Sequence, residues 1–234
     1  LVNVGADSRT IFNLFEANNG RLHISMDNCP HQVVVVGEKE AVAQLTALLK
    51  EKGILYEELP VNQPAYHTPM FEGARGLLEA HQWTPPTHLV EVYSCTTASP
   101  YPREPEGIRQ LSVEHWMRRV EFRKTIEAMY EAGARIFVEV GPGGILTAFV
   151  DDILRGRPYL AVAANVPRRS GITQLNHLVG MLASQRIPIN LEYLYKRRAP
   201  RRLALDAAVD SATNGPNAPG MVDLALLGTP SLKL

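Results

Sequence analysis

Residues 1–59 alternate between two kinds of hydrophobic periodicity, and this order constrains the fold more than any other feature of the sequence. Strands are predicted where apolar residues alternate or β-branched residues run together, in residues 1–4, 21–27, 32–36 and 54–59. Helices are predicted where apolar residues recur every three or four positions, in residues 11–15 and 38–50. The order β-α-β-β-α-β is that of a ferredoxin-like fold, which hosts many unrelated activities.

The pattern changes after residue 60, where helices alternate with single strands. Helices are predicted in residues 70–82, 145–154 and 171–185, and a further helical region contains Phe122, Ile126, Met129 and Tyr130. Strands are predicted in residues 88–94, 135–140 and 159–163, and a proline-rich loop in residues 99–105. This alternation indicates a parallel sheet with helices packed on it, and therefore an α/β fold class.

Composition divides the chain into three segments. We expect a ferredoxin-like subdomain in residues 1–60, an α/β subdomain in residues 61–190 and a linker in residues 191–234. The linker begins with a basic cluster in residues 196–202. Residues 207–220 are rich in Ala, Asn, Gly and Pro and have little apolar surface to bury, so we expect them to lack stable structure.

Charge and cysteine content narrow the range of partners. Lys plus Arg and Asp plus Glu are equal at 24 each, whereas proteins that bind nucleic acid or membrane surfaces usually have a basic excess. We therefore expect neither partner. Cys29 and Cys95 form no metal or disulfide pattern, and no apolar run reaches membrane-spanning length, so a cytoplasmic protein is expected. The chain begins at Leu1 within a predicted strand, which indicates part of a longer protein.

His67 lies in a proline-rich loop between a predicted strand and a predicted helix. Pro60, Pro64 and Pro69 disfavour helix and stiffen this loop. A histidine on a rigid loop at the end of a strand is a common way to present a general base. Most loop histidines do no chemistry, so the loop alone favours an ordinary surface histidine over a general base.

The sequence lacks the usual motifs of nucleotide-binding, metal-binding and serine-nucleophile sites. The glycine-rich segment 141–144 lies between a strand and a helix, but it matches no nucleotide-binding motif and favours a tight turn with a helix start. The histidines have no metal-binding spacing, so no metal is expected. The sequence contains no Gly-x-Ser-x-Gly nucleophile elbow. We place His115 and Trp116 at the head of a helix, where they either pack against the His67 loop or serve as surface and core residues.

Four stretches, in order, resemble motifs of one enzyme family. They are residues 28–37 (Asn-Cys-Pro followed by Val-Val-Val-Val-Gly), 59–70 (Leu-Pro-Val to Ala-Tyr-His-Thr-Pro-Met), 92–94 (Val-Tyr-Ser) and 119–146 (Arg-Val-Glu-Phe, then Phe-Val-Glu-Val-Gly-Pro-Gly-Gly-Ile-Leu). Residues 1 to about 196 are thus similar to the later part of an acyltransferase domain. The family comprises such domains of type I polyketide synthases and of polyunsaturated or glycolipid fatty-acid synthases, together with malonyl-CoA:acyl carrier protein transacylases.

The resemblance implies a fold, a reaction and a set of site residues. The fold would join the ferredoxin-like subdomain to part of an α/β-hydrolase-like parallel-sheet subdomain. His67 would be the catalytic base, a backbone carbonyl near His115 or Trp116 would orient it, and Tyr66 and Ala65 would contribute to substrate choice. Malonyl-CoA would be the substrate, with no bound cofactor. The phosphopantetheine of an acyl carrier protein would accept the acyl group, and a ketosynthase and other domains of the same megasynthase would be partners.

The chain also departs from the family pattern. The family's Gly-His-Ser-x-Gly elbow, its oxyanion loop and its carboxylate-binding arginine precede the ferredoxin-like subdomain and are absent from this sequence. Arg119 stands where many members have proline. Tyr66 resembles the aromatic residue of malonyl-type members, whereas Pro64 matches neither the malonyl-type nor the methylmalonyl-type pattern. Two alternatives therefore stay open: a non-catalytic module that binds a carrier protein, and a structural module of a megasynthase.

Overall fold

The computed structural model of the chain describes residues 1–15, 20–59, 65–80 and 90–197. The chain divides into two compact units, Leu1–Ile187 and Pro188–Leu234. The first unit contains both of the predicted kinds of sheet. Residues 188–197 are the described part of the second unit.

A four-stranded antiparallel sheet with two helices forms the first part of the chain. Its elements are β1 (Val2–Val4), α1 (Ser8–Phe15), β2 (Leu22–Cys29), β3 (Gln32–Gly37), α2 (Lys39–Glu51) and β4 (Tyr56–Glu58). The strand order is β2-β3-β1-β4, and every neighbouring pair is antiparallel. This arrangement confirms the predicted ferredoxin-like fold.

One face of this sheet and both helices enclose a hydrophobic core. Four strand valines of this core are fully buried and are spaced two apart within each strand, because alternate residues of a strand face the same side: Val2, Val4, Val33 and Val35. The helix residues that pack on them recur at helical spacing: Ile11, Phe15, Ala41, Leu45 and Leu49. The two periodicities in the sequence therefore meet in one core.

Gly37 ends β3 at a position that leaves no room for a side chain. A Cβ there would lie 2.3 Å from the backbone oxygen of Arg21 and 2.6 Å from Cδ2 of Leu22. Gly37 is also the register partner of Leu22. The glycine that follows the valine run thus allows β2 and β3 to pair along their full length.

The second part of the first unit is an α/β arrangement. Its elements are a 3-10 helix (Pro69–Ala74), α3 (Arg75–Glu79), β5 (Tyr93–Ser94), β6 (Ser99–Pro100), α4 (Pro105–Glu114), α5 (Phe122–Glu131), β7 (Ile136–Pro142), α6 (Ile145–Ile153), β8 (Leu160–Asn165) and α7 (Gly171–Ser184). Strands β7 and β8 are parallel, with Ile136 opposite Leu160. A second core, formed by residues that include Ile126, Val150 and Leu154, lies between α5, α6 and β7. The predicted α/β class is confirmed.

Three local predictions need correction. The segment predicted as one helix from residue 70 begins as a 3-10 helix, with Pro69 at its start. The strand predicted over residues 88–94 is the short strand β5, which pairs with β6 inside the predicted loop; residues 88 and 89 lie outside the described residues. The helical region before Gly133 is two helices, because Pro105 starts α4 and Glu121 forms the N-cap of α5.

The segment between α4 and α5 connects the two parts of this unit. Asp27 N–H donates to the oxygen of Val120, and Val120 N–H donates to the oxygen of Ser25, both at 2.8 Å. The Asp27 carboxylate, buried in β2, pairs with Arg123 of α5 at 3.1 Å. These contacts place the ferredoxin-like sheet beside residues 115–121, where the candidate site lies.

One short helix, α8 (Glu192–Tyr195), belongs to the second unit. Residues 198–234 lie outside the described residues, and the prediction that residues 207–220 lack stable structure falls there. Within the described residues, no helix has the length and apolar character needed to cross a bilayer.

Candidate functional site

His67 has a left-handed backbone conformation that is uncommon for a residue with a side chain. Its φ is 59°, in a region that costs roughly 1–2 kcal/mol for a non-glycine residue. His67 N–H donates to the oxygen of Trp116 at 2.8 Å, and the buried Thr68 hydroxyl donates to the oxygen of Ala65 at 2.6 Å. Strained backbone of this kind concentrates at functional sites, so the conformation supports a special role for His67.

The imidazole of His67 is fixed by the residues that follow α4. Its Nδ1 lies 2.8 Å from the backbone oxygen of His115. Because a carbonyl oxygen only accepts hydrogen bonds, Nδ1 carries the proton and Nε2 is the basic nitrogen. The Trp116 ring stacks on the imidazole, with 5.8 Å between centroids and 12° between planes. The ring thus has the tautomer and the fixed orientation that a general base requires.

The placement of His115 and Trp116 corrects one prediction. The pair lies at the end of α4, where His115 is the C-cap, and not at the head of a helix. Because a carbonyl at a helix C-terminus has no partner within the helix, that of His115 is free to accept from another group. The contact with the His67 loop, which was one of the two interpretations of this pair, is present.

The side chain of His115 contacts both Thr96 and His67. Its Nδ1 lies 2.9 Å from Oγ1 of Thr96, and its ring centroid lies 4.7 Å from that of His67. Burial, with a further contribution from His67, lowers the pKa of His115 below its usual value. At pH 7 His115 is therefore mainly neutral and adds little positive charge next to His67.

A cleft of about 370 Å³ opens beside His67. One wall comes from α1 and β2, with Phe12 and Ile24 among its residues, and the other from Thr96 and residues 117–119 and 121. Small-molecule sites typically have this size and combine apolar walls with a few polar groups. The cleft therefore places a candidate base at the edge of a space that fits a small ligand.

The charged residues that line the cleft are mostly basic. Arg118 and Arg119 both line it, whereas Glu121 is the one carboxylate among the described lining residues. Arg119 pairs with Glu121, which Lys124 approaches to 3.3 Å, and Arg118 lies 3.1 Å from Glu114. This distribution favours an anionic ligand over a cationic one.

Tyr66 and Ala65 are next to His67 but are not among the described residues that line the cleft. The Tyr66 ring packs edge-on against Phe71 and Trp116, at centroid distances of 4.8 and 5.6 Å. Tyr66 thus stabilises the His67 loop by packing with Phe71 and Trp116 in one aromatic cluster. The role of Tyr66 and Ala65 in substrate choice stays a prediction, and Pro64 lies outside the described residues.

The glycine-rich segment 141–144 starts helix α6 and already has an anionic partner. Glu139 Oε2 accepts from both the backbone N–H and the hydroxyl of Thr147, each at 2.8 Å. A carboxylate therefore occupies the helix N-terminus that a phosphate would need. The geometry agrees with a tight turn and a helix start. Among the described residues, no three His, Cys, Asp or Glu side chains are arranged to hold a metal ion.

Sequence reasoning did not point to Thr96, Arg118 or Glu121, and it treated Arg119 only as a departure from a motif. Thr96 is 19 positions from His115, and no local pattern links the two residues. The basic residues of the cleft stand in a short segment between two helices, a position that carries no periodic signal. Only the tertiary structure brings these side chains to His67.

Comparisons with known proteins find similarity to synthases that build fatty acids and polyketides. No protein-family model matches the chain. The chain is 26% identical over 168 residues to a polyunsaturated fatty acid synthase protein of Thraustochytrium sp., covering 70% of the chain and 6% of the relative. It is 29% identical over 220 residues to a spectinabilin polyketide synthase system protein of Streptomyces orinoci, covering 88% of the chain and 10% of the relative.

Solved structures give the same result. The acyltransferase domain from the second module of the salinomycin polyketide synthase has a TM-score of 0.70 and 25% identity, covering 85% of this chain and 46% of that one. A malonyl-transacylase solved with its type II acyl carrier protein has a TM-score of 0.63 and 27% identity, covering 75% of this chain and 57% of that one. The chain thus spans about half of these solved proteins and a small part of the two curated relatives.

The matches to the Streptomyces orinoci protein and to the salinomycin domain cover 88% and 85% of the chain, so they include residues of both the ferredoxin-like and the α/β parts. By sequence and by fold, the chain is therefore similar to polyketide synthase acyltransferase domains and to malonyl-CoA:acyl carrier protein transacylases.

Proposed function

We propose that the chain is part of an acyltransferase domain that moves a malonyl-type unit from coenzyme A to the phosphopantetheine arm of an acyl carrier protein. The observation that carries this proposal is the geometry of His67, whose Nδ1 is bound to the His115 carbonyl while the residue lines the cleft. The malonyl-transacylase solved with its carrier protein supports the choice of reaction and of partner.

The first step forms an ester on the enzyme. Nε2 of His67 accepts the proton of a serine hydroxyl while the serine oxygen attacks the thioester carbonyl of malonyl-CoA. The tetrahedral intermediate collapses, the carbon–sulfur bond breaks, and the coenzyme A thiolate takes the proton from His67. The products are a malonyl-serine ester and free coenzyme A.

The second step reverses these roles with a different thiol. His67 accepts the proton of the phosphopantetheine thiol, the thiolate attacks the ester, and the serine oxygen leaves and regains a proton from His67. Backbone amides of an oxyanion hole would stabilise both intermediates. His67 is thus proposed as base and acid in turn, a role that requires a ring held in one tautomer.

The serine of this mechanism is proposed to come from outside these 234 residues, because the sequence contains no Gly-x-Ser-x-Gly. What the chain itself supplies is His67, the support of its ring and the described walls of the cleft. The basic lining at Arg118 and Arg119 fits a substrate whose malonyl and phosphate groups are anionic. A ketosynthase and further synthase domains are proposed as neighbours in a cytoplasmic assembly.

The proposed substrate preference is malonyl over methylmalonyl. Tyr66 precedes His67 and is held by Phe71 and Trp116, so its bulk is fixed near the base. One methyl group is worth only about 1–3 kcal/mol of discrimination, so a preference is expected rather than exclusion. Competition between the two CoA esters tests this, and Tyr66→Ser should narrow the difference between them.

A non-catalytic module that binds a carrier protein is the second candidate, and the missing serine motif favours it. Intact-mass measurement separates the two. The native polypeptide that contains these residues is incubated with malonyl-CoA and then with a phosphopantetheinylated carrier protein. Malonylation of the polypeptide and then of the carrier supports the transferase, whereas carrier binding without any malonyl transfer supports the second candidate and contradicts the first.

A further inference from the structure

Thr96 makes a contact that connects it to His67 through a single residue. Its Oγ1 lies 2.9 Å from Nδ1 of His115, and the backbone oxygen of the same His115 lies 2.8 Å from Nδ1 of His67. His115 therefore contacts Thr96 with its side chain and His67 with its main chain.

Thr96 is itself held firmly by the turn between β5 and β6. Its side chain is buried, and its N–H donates to the hydroxyl of the buried Ser94 at 3.1 Å. Ala98 N–H closes the turn by donating to the oxygen of Ser94 at 2.8 Å, and the oxygen of Cys95 accepts from Glu121 N–H at 2.7 Å. This turn is tied to the segment between α4 and α5, so Thr96 is a fixed point for the His115 ring.

His115 needs such a fixed point because it is the C-cap residue that follows the last residue of α4. Its N–H donates to the oxygen of Leu111 at 3.0 Å, but at a helix C-terminus no helical bond fixes its carbonyl. Helix ends fray, and rotation of the His115 carbonyl would break the hydrogen bond that it accepts from Nδ1–H of His67. The Thr96 hydroxyl and the helix bond hold His115 at two points.

We propose that Thr96 is a positioning residue: by donating its hydroxyl to Nδ1 of neutral His115, it fixes the His115 carbonyl that holds His67 in its reactive tautomer. The effect of Thr96 on catalysis rests on the proposed function, whereas its effect on the His67 ring rests only on the contacts described above. The lowered pKa of His115 agrees with this direction, since a protonated ring carries N–H on both nitrogens and has no lone pair to accept from the hydroxyl.

The test uses a matched pair of variants of the 234-residue chain. Thr96→Val removes the hydroxyl and keeps the branched shape, whereas Thr96→Ser keeps the hydroxyl. The readout is nitrogen-15 NMR of the histidine rings at pH 8, which reports the tautomer of His67 and the solvent exchange of its Nδ1 proton. A role in shape alone would give the opposite pattern, with Thr96→Val like the wild type and Thr96→Ser changed, because only valine keeps the branched shape.

We expect Thr96→Val to speed exchange of the His67 Nδ1 proton by roughly two- to tenfold, the effect of losing one neutral hydrogen bond, and to populate the Nε2-protonated tautomer. Thr96→Ser should keep the wild-type signals. In the native polypeptide, Thr96→Val should lower kcat for malonyl transfer by a similar factor and leave KM unchanged.

Wild-type His67 signals in Thr96→Val, or equal changes in both variants, would overturn the positioning role. Failure of the proposed function gives a different result. In that case Thr96→Val still changes the His67 ring, while the wild-type native polypeptide transfers no malonyl group.

Discussion

The buried ion pair between Asp27 and Arg123 gives a direct test of how the two parts of the first unit are held together. The Asp27 side chain is 1% exposed, and its Oδ2 accepts from Arg123 at 3.1 Å and from the Ser8 hydroxyl at 2.8 Å. Its other oxygen, Oδ1, has no hydrogen-bond partner among the described residues. Arg123→Met would therefore leave a buried carboxylate with the Ser8 hydroxyl and no counter-charge.

The expected cost follows from this geometry. Removing one partner of a buried pair typically costs about 3–5 kcal/mol. Arg123 is 23% exposed and Ser8 keeps one hydrogen bond to the carboxylate, so we expect the lower end, about 3 kcal/mol. Asp27→Asn combined with Arg123→Met should recover at least half of this loss, because no buried charge remains.

Urea-induced unfolding of the chain at pH 7 measures these differences in the free energy of unfolding. Arg118→Met is the matched control, because its pair with Glu114 has side chains 55% and 30% exposed. Exposed pairs contribute about 0–1 kcal/mol, so the control should change stability little. Equal losses for Arg123→Met and Arg118→Met, or a double variant less stable than Arg123→Met, would refute the reasoning.

Two further predictions concern helix starts. Asp7 accepts from Thr10 at the start of α1, and this bond holds the Asp7 pKa below its usual value, so Asp7→Ala should cost about 1 kcal/mol at pH 7. Because the Asp7 pKa is lower in the folded than in the unfolded chain, the difference in unfolding free energy between the wild type and Asp7→Ala should be complete above about pH 4. It should vanish as the pH falls through the folded pKa. A difference that is independent of pH between about 2 and 7 in urea unfolding would contradict this prediction. Glu139→Ala should cost about 1–2 kcal/mol and speed hydrogen exchange of the Thr147 amide, whereas Glu139→Gln should retain much of the cap; unchanged exchange in Glu139→Ala would show that Glu139 does not cap α6.

The ferredoxin-like part was predictable because the apolar residues within each of its strands and helices recur with a regular spacing. Alternate valines define the buried face of the strands, and helical spacing defines the residues that pack on them. Val2 and Val35 are register partners that carry the same periodic signal, although they are distant in sequence. Burying one face then restricts the register, and the β-α-β-β-α-β element order indicates the strand order.

The boundaries around the site were less predictable, for identifiable physical reasons. One helical region was expected where α4 and α5 lie, because the break between them consists of residues with ordinary helix propensity, such as Met117 and Arg118. Pro105 was read as part of a loop, but it starts α4. This error placed His115 at the wrong end of a helix.

The support of His67 could be predicted only in outline. The loop and the resemblance pointed to His67 and to a carbonyl near His115 or Trp116, and the structure places the His115 oxygen on Nδ1. A backbone carbonyl has no identity in the sequence, so its position depends on how α4 ends. The Thr96 contact depends in addition on a turn in another segment, and no sequence pattern connects the two.

The rate of malonyl transfer by a His67→Ala variant tests the central claim most directly. The native polypeptide containing these residues, its His67→Ala variant and a His177→Ala control are mixed with malonyl-CoA and a phosphopantetheinylated carrier protein, and carrier mass is followed over time. His177 lies on an exposed position of α7, so its variant should match the wild type. We expect transfer by the wild type and a rate lower by a factor on the order of 10²–10⁴ in His67→Ala, the usual contribution of a general base. Transfer by His67→Ala at a rate close to that of the control would contradict it.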